Sequence, residues 1–333
     1  MQYYKKRTVS LKNCFVLDGY TIVGPKENDG RYGHFFDFAL QDDKFGQNTF
    51  ERAERKMFEH AIDGVIGKCN LNNNDVDAVI GGDLLNQITS ASFAARKQHA
   101  GFLGLYNACA TFAESLIVGS AMLSVGLDNV VCVAGSHFST AERQYRYPLE
   151  LGVLRSPVTQ WTATGVGATL LTSDKQNATA KITSATIGRV VDYGIMDANN
   201  MGAAMAPSAC DTIVTFFEDT MKNVDDYDAI FTGDLGKLGS EILIDLTRQR
   251  GLDISEKLVD CGGTLFYEEQ KTYQGASGAA CSAIVFNSYI LSKLRKKQFK
   301  KILLAGTGAL MSPTTSFQGD SIPAVTHLVE VTI

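Results

Sequence analysis

The sequence has no long apolar run, no CxxC pair, no basic excess and few histidines, and each absence closes off a class of function. Its longest uncharged apolar stretch, Ser115 to Leu127, falls well short of the roughly 20 residues a membrane-crossing helix takes. A buried helix is expected there. Lys5, Lys6 and Arg7 are basic, but no apolar segment follows them, so no secretory signal is expected, and any membrane association would go through a partner. The cysteines, Cys14, Cys69, Cys109, Cys132, Cys210, Cys261 and Cys281, are odd in number and never lie at ligand spacing with a histidine. That predicts mostly buried free thiols in a reducing compartment and no metal site. Lys and Arg total 31 against 36 Asp and Glu, a balance that argues against a nucleic-acid-binding face. Gly306-Thr307-Gly308 follows a strand-like run, but no G-x-G-x-x-G motif occurs, so no dinucleotide or other cofactor is expected.

What is present is a large α/β pattern. A chain of 333 residues, 45% hydrophobic and 20% charged, can bury a substantial core. Strand-like runs at Val76–Gly82, Asn129–Ser136, Asp228–Gly233 and Lys301–Gly308 alternate with helical segments. The helices are expected at Phe50–Lys68, Cys109–Val125, Ser208–Lys222, Ser240–Arg250 and Ser277–Lys296. Such alternation predicts a largely parallel sheet. The pattern also repeats. Asp77-Ala78-Val79-Ile80-Gly81-Gly82-Asp83-Leu84 matches Asp228-Ala229-Ile230-Phe231-Thr232-Gly233-Asp234-Leu235 in register. Val133-Ala134-Gly135-Ser136 then matches Leu304-Ala305-Gly306-Thr307 in the same order. A duplicated unit is expected, with halves at 1–175 and 176–333.

A duplicated α/β unit with a cysteine opening a central helix resembles the thiolase superfamily. The segment Tyr106-Asn107-Ala108-Cys109-Ala110-Thr111-Phe112 resembles the nucleophile segment of its ketoacyl synthase III branch. Five motifs in order resemble the stage V sporulation protein AD family more closely. They are Gly24-Pro25-Lys26-Glu27, Gly82-Asp83-Leu84-Leu85-Asn86-Gln87, Thr140 to Pro148, Gly202-Ala203-Ala204-Met205-Ala206-Pro207 and Gly306 to Pro313. The resemblance implies a thiolase-like αβαβα layered fold. It also implies binding of dipicolinic acid, with or without calcium, and a part in its uptake into the developing spore. The protein would be cytoplasmic in the sporulating cell and a homodimer. Other stage V sporulation proteins would hold it at the forespore or spore inner membrane.

Thiolase-type condensation needs two polar partners for its cysteine, His with Asn or His with His. None of the five histidines, His34, His60, His99, His137 and His327, falls at the partner positions. Asp234 stands in the region of the first and Ala276 at the second. A carboxylate near the thiol would raise its pKa and oppose carbanion formation, so a non-enzymatic binding role is expected. The alternatives are a condensing enzyme of the ketoacyl synthase III kind, or a thioesterase using Cys109 and His137. Otherwise Cys109 is a buried hydrophobe or a pocket wall, and His137 a hydrogen-bonded core residue.

A ligand is expected beyond the strand ends near Cys109. Asn86, Gln87, Ser136 and His137 would supply donors, Arg143 a charged fork, and Lys26 a further cation. Asp83 would pair with Lys26 or Arg143 so as not to repel the anion; both Asp83 and Asp234 could instead cap helices. The segment from His137 to Trp161 adds Arg146, Arg155, Tyr145, Tyr147 and Trp161, suited to a flat dicarboxylate, a subunit interface or a solvated loop. The basic run Lys293 to Lys301 reads as a solvated helix end ahead of a membrane patch.

Overall fold

The computed structural model describes residues 7–145 and 155–333. Arg146, Tyr147 and the end of the third motif, Pro148, lie outside the described residues, as does the start of the basic N-terminal segment.

Two sets of five strands repeat one order. In the first half Ala78–Gly82 lies between Gly101–Gly104 and Asn129–Ser136, all parallel. Gly165–Thr172 then runs antiparallel between Asn129–Ser136 and Phe15–Val23. In the second half Ala229–Thr232 lies between Leu258–Asp260 and Lys301–Ala309, again parallel. Ala324–Thr332 runs antiparallel between Lys301–Ala309 and Ala180–Thr186. Both sets therefore read third, second, fourth, fifth, first across the sheet. Phe15 opposite Lys181 and Val16 opposite Ala180 join them. The sheet is mixed, not largely parallel as expected. Lys301–Ala309 and Ala324–Thr332 are joined at one end of the sheet, so the second strand must return against the first.

The helices form three layers. Thr111–Ser124 is sandwiched between the two sets of strands, with Ala279–Val285 beside it. Phe50–Lys68 covers the outer face of the first set and Met201–Thr220 that of the second. Phe50–Lys68 follows the expected period: Ala53, Met57, Phe58, Ala61, Ile62 and Val65 face inward, and Thr49 caps the start by accepting the Arg52 N–H at 3.3 Å. In the middle layer Phe112 and Phe286 are fully buried, with ring centroids 5.5 Å apart. Full burial of such a ring contributes roughly 1.5–3 kcal/mol.

Gly306 and Gly308 explain the Gly-Thr-Gly run. A Cβ on Gly306 would sit 2.6 Å from the Ala113 Cβ, and one on Gly308 would sit 2.8 Å from the Asn107 carbonyl oxygen. Bare backbone is what lets the start of the Cys109 helix rest on this strand.

The other central helix departs from its expected Ser277–Lys296. Ala279–Val285 passes into a π-helical turn at Phe286–Ile290 before Leu291–Arg295. Met201–Thr220 starts seven residues earlier than expected, ahead of Pro207, because Asn200 caps it by accepting the Ala203 N–H.

Candidate ligand-binding site

Cys109 sits where the chain turns into the central helix. Ala108 takes a left-handed backbone (φ 48), Ala108–Ala110 forms one tight turn, and Thr111–Ser124 continues it. The thiol is buried, 8% exposed. It lines a cleft between the halves, partly open to solvent, with a cavity volume of about 50 Å³. Leu84, Tyr145, Met201, Gly278 and Met311 form much of its wall. The early start of Met201–Thr220 is what brings Met201 there.

Asp234 lies against Cys109, whose thiol hydrogen-bonds its carboxylate. The carboxylate also accepts the Thr307 hydroxyl at 2.8 Å and the Gly278 N–H at 3.0 Å. Complete burial pushes its pKa up to about 7, against the three hydrogen bonds, which lower it. Near neutrality Asp234 is thus divided between carboxylate and neutral acid. The neutral form can donate a hydrogen bond but cannot take a proton.

Asp83, the matching residue of the first half, does something else. Its fully buried carboxylate accepts the Leu85 N–H at 2.8 Å and the Ala91 N–H at 2.7 Å, fixing the turn into the helix Thr89–Ala95. Burial pushes its pKa up to about 6, and the nearby Glu54 carboxyl is raised further by burial and by Asp83 itself. The expected pairing with Lys26 or Arg143 does not occur. The Lys26 ammonium donates to the Gln270 carbonyl at 2.9 Å and lies 4.5 Å from the Trp161 ring. Arg143 reaches outward to Glu51 at 2.7 Å. Backbone N–H groups leave Asp83 no need of a cation.

The other expected residues have local tasks. Ser136 donates to the Ala163 carbonyl at 2.8 Å and accepts the Ala280 N–H at 3.2 Å. In His137, Nδ1 accepts the Ser139 N–H, so Nε2 carries the proton and donates to the Asp43 carbonyl at 2.7 Å. Burial lowers its pKa. Both ring nitrogens of His137 are thus engaged within the fold. Asn86 and Gln87 are exposed on the rim, where the Asn86 N–H meets the Gln144 side chain at 3.1 Å. Of the eight residues expected to hold the ligand, Cys109 lines the cleft.

Part of the aromatic and arginine segment is consumed internally. Trp161 stacks on Phe138 at 3.8 Å, Arg155 lies 5.0 Å from the Trp161 ring, and the buried Glu142 accepts from Thr162 at 3.1 Å. Tyr145 instead reaches the cleft, its hydroxyl bonded to the Leu84 carbonyl and, at 2.9 Å, to Tyr106. No sequence signal places His327 here. It contacts the Asn107 side chain at 2.9 Å, two residues before Cys109, and burial pulls its pKa down to about 4. It carries no charge near neutrality.

The duplicated strand order, the buried central helix and the cysteine at its start define the thiolase fold. Solved structures agree. OleA of Xanthomonas campestris, in a variant bound with cerulenin, superposes with a TM-score of 0.61 at 15% identity, covering 97% of this chain and 98% of that one. A second OleA variant, with bound lauric acid and lauroyl-CoA, gives 0.61 at 14% identity, covering 97% and 100%. The family comes from sequence. The family model described as stage V sporulation protein AD matches residues 5–332. The stage V sporulation protein AD of Bacillus subtilis (strain 168) is 40% identical over 314 residues, 94% of this chain and 92% of that protein. The chain belongs to the stage V sporulation protein AD family.

Proposed function

We propose that the protein is a non-enzymatic component that binds dipicolinic acid at the cleft beside Cys109 and takes part in its uptake into the developing spore. The observation that carries this reading is Asp234. A buried carboxyl rather than an imidazole is hydrogen-bonded to the thiol, and the charge of its ionised form opposes both a thiolate and a carbanion, so the cleft is suited to holding a ligand and poorly suited to condensation. Met201, Met311, Leu84 and Tyr145 offer apolar and aromatic surface to a flat ring, and neutral Asp234 can donate to one carboxylate. Binding then tightens as pH falls through about 7, where Asp234 takes up its proton. Calcium carried by the ligand would relax this dependence.

Titration calorimetry with dipicolinic acid, with and without calcium, tests the reading. Silence at millimolar ligand in both arms sinks it. Condensation remains the second reading, since Cys109 is retained at the helix start and lines the cleft. Incubation with acyl-coenzyme A and a malonyl thioester decides between the two. Turnover that disappears in Cys109→Ser would establish the enzyme.

The protein would act as a homodimer, with other stage V sporulation proteins at the forespore membrane. Gly101–Gly104 supports the dimer: it ends the sheet with Leu103 42% exposed, an edge open to pairing. Sedimentation velocity measures the state directly. Among the described residues no helix is long and apolar enough to cross a membrane.

A further inference from the structure

We infer that the basic seam on the side of the molecule away from the cleft is a docking surface for an anionic lipid bilayer. The first strands of the two halves meet at this seam. It is formed by Phe15, residues 175–181, the end of the helix Leu291–Arg295 and the close of Ala324–Thr332. Lys301 opens the strand whose last residue, Ala309, lines the cleft. Eight steps of about 3.3 Å separate the two ends by roughly 26 Å.

The charge here runs against that of the chain. Acidic residues exceed basic ones by five overall, yet Lys293 to Lys301 holds six basic residues in nine and no acidic one. Lys175 and Lys181 add two more from the other side of the groove, which Arg295 and Lys297 also line, while Lys296 faces the adjoining groove beside Asp37 and Lys68. The carboxylates within reach are already engaged. Asp18 holds Arg295 at 2.7 Å, Glu330 lies 3.6 Å from Lys301, and Asp174 accepts the Gln176 N–H. Among the described residues, Lys175, Lys181, Lys293, Lys296, Lys297 and Lys300 have no carboxylate within 4 Å.

A helix C-terminus carries about half a negative charge, so the dipole of Leu291–Arg295 accounts for one of these lysines at most. The turn that presents them is built. Lys297 takes a left-handed backbone (φ 57), and its N–H and that of Gln298 bond back to the Leu294 and Lys293 carbonyls at 2.9 Å. Seven of the eight cations are lysines. Lysine is a flexible point charge suited to a diffuse anionic surface, whereas fixed phosphate recognition favours arginine forks. Docking through this face leaves the cleft open to the cytoplasmic side and goes beyond attachment through partners.

Co-sedimentation of the full chain, without ligand, tests the surface. The vesicles are equal parts phosphatidylglycerol and phosphatidylcholine, against phosphatidylcholine alone. Binding is expected to the anionic vesicles only and to be lost at about 0.5 M salt. The variant Lys296→Glu/Lys297→Glu/Lys300→Glu removes three positive charges and adds three negative ones, and should lower partitioning by well over the roughly hundredfold that three charges removed at about fivefold each would give. The matching Gln variant should give a smaller loss, and it replaces the Glu variant if that one fails to fold. No binding of the unaltered chain to anionic vesicles at low salt, or binding by both variants as tight as its own, overturns the inference. So does duplex DNA bound as tightly as the vesicles with the same dependence on these lysines.

Discussion

Asp83 and Asp234 occupy matching positions, each following the second strand of its half in the repeated sequence. Their surroundings differ in what serves the backbone of the next turn. In the first half Asp83 itself accepts the Leu85 N–H. In the second, the N–H groups of Leu235 and Gly236 go to Asp260, each at 2.9 Å, and Gly263 adds a third at 2.7 Å. Asp260 comes from the end of the neighbouring strand Leu258–Asp260. By taking over the capping it releases Asp234 to turn towards Cys109, Thr307 and Gly278. A duplicated fold can thus keep a residue in register and give it a new task once a neighbour takes over the old one.

The largest effect expected from this comparison is at Asp260. Asp260→Ala would strip three backbone N–H groups and the Thr232 hydroxyl of their acceptor, costing about 3–5 kcal/mol. Urea unfolding at 25 °C measures it, and a cost under about 1 kcal/mol breaks the account of shared capping. Asp83→Ala should cost less, about 2–3 kcal/mol. It abandons two N–H groups but relieves Glu54 of a buried neighbour of like charge. If Asp83→Ala proves the more damaging of the two, the halves do not differ in the way described.

Asp234→Asn should act in the opposite direction. The folded pKa of about 7 lies above the ordinary 3.8, so the folded chain holds this proton after the unfolded chain has released it. Stability from this group is therefore lost as pH rises between about 4 and 7. An asparagine titrates nowhere in that window. The variant should gain about 1–2 kcal/mol over the parent above pH 7 and little near pH 4, read as the difference in Tm at pH 8 and pH 5. An equal Tm difference at both would mean that Asp234 is ionised throughout. The smallest effect belongs to Arg143→Ala. Its pair with Glu51 is 44% exposed on both sides, so the loss should stay under about 0.5 kcal/mol in the same urea assay. A larger loss would restore Arg143 as part of a structured site.

Parts of this arrangement were legible along the chain. The repeated Asp, Gly and Asp around Ala78–Gly82 and Ala229–Thr232 showed the duplication, because strand ends and their turns constrain residue type locally. Phe50–Lys68 and Asn129–Ser136 were legible to the residue, since apolar spacing and a cap mark them. Cys109 was legible as the start of a buried helix from the small residues around it. The antiparallel return strands were not, because pairing direction depends on which end of the sheet a connection crosses.

The roles of the polar residues were illegible for a related reason. His137 is tied to Asp43, 94 positions away, Asp234 to Thr307, 73 away, and Lys26 to Gln270, 244 away. The chain alone determined that there are two similar halves and a cysteine at the opening of the central helix. These follow from residue identity and short-range spacing. Only the packed molecule decided that Asp83 is a cap, that Asp234 faces the thiol as a largely desolvated acid, and that His137 is committed at both nitrogens. A buried polar group takes its role from whichever partner satisfies it, and for His137, Asp234 and Lys26 those partners lie far along the chain until it folds.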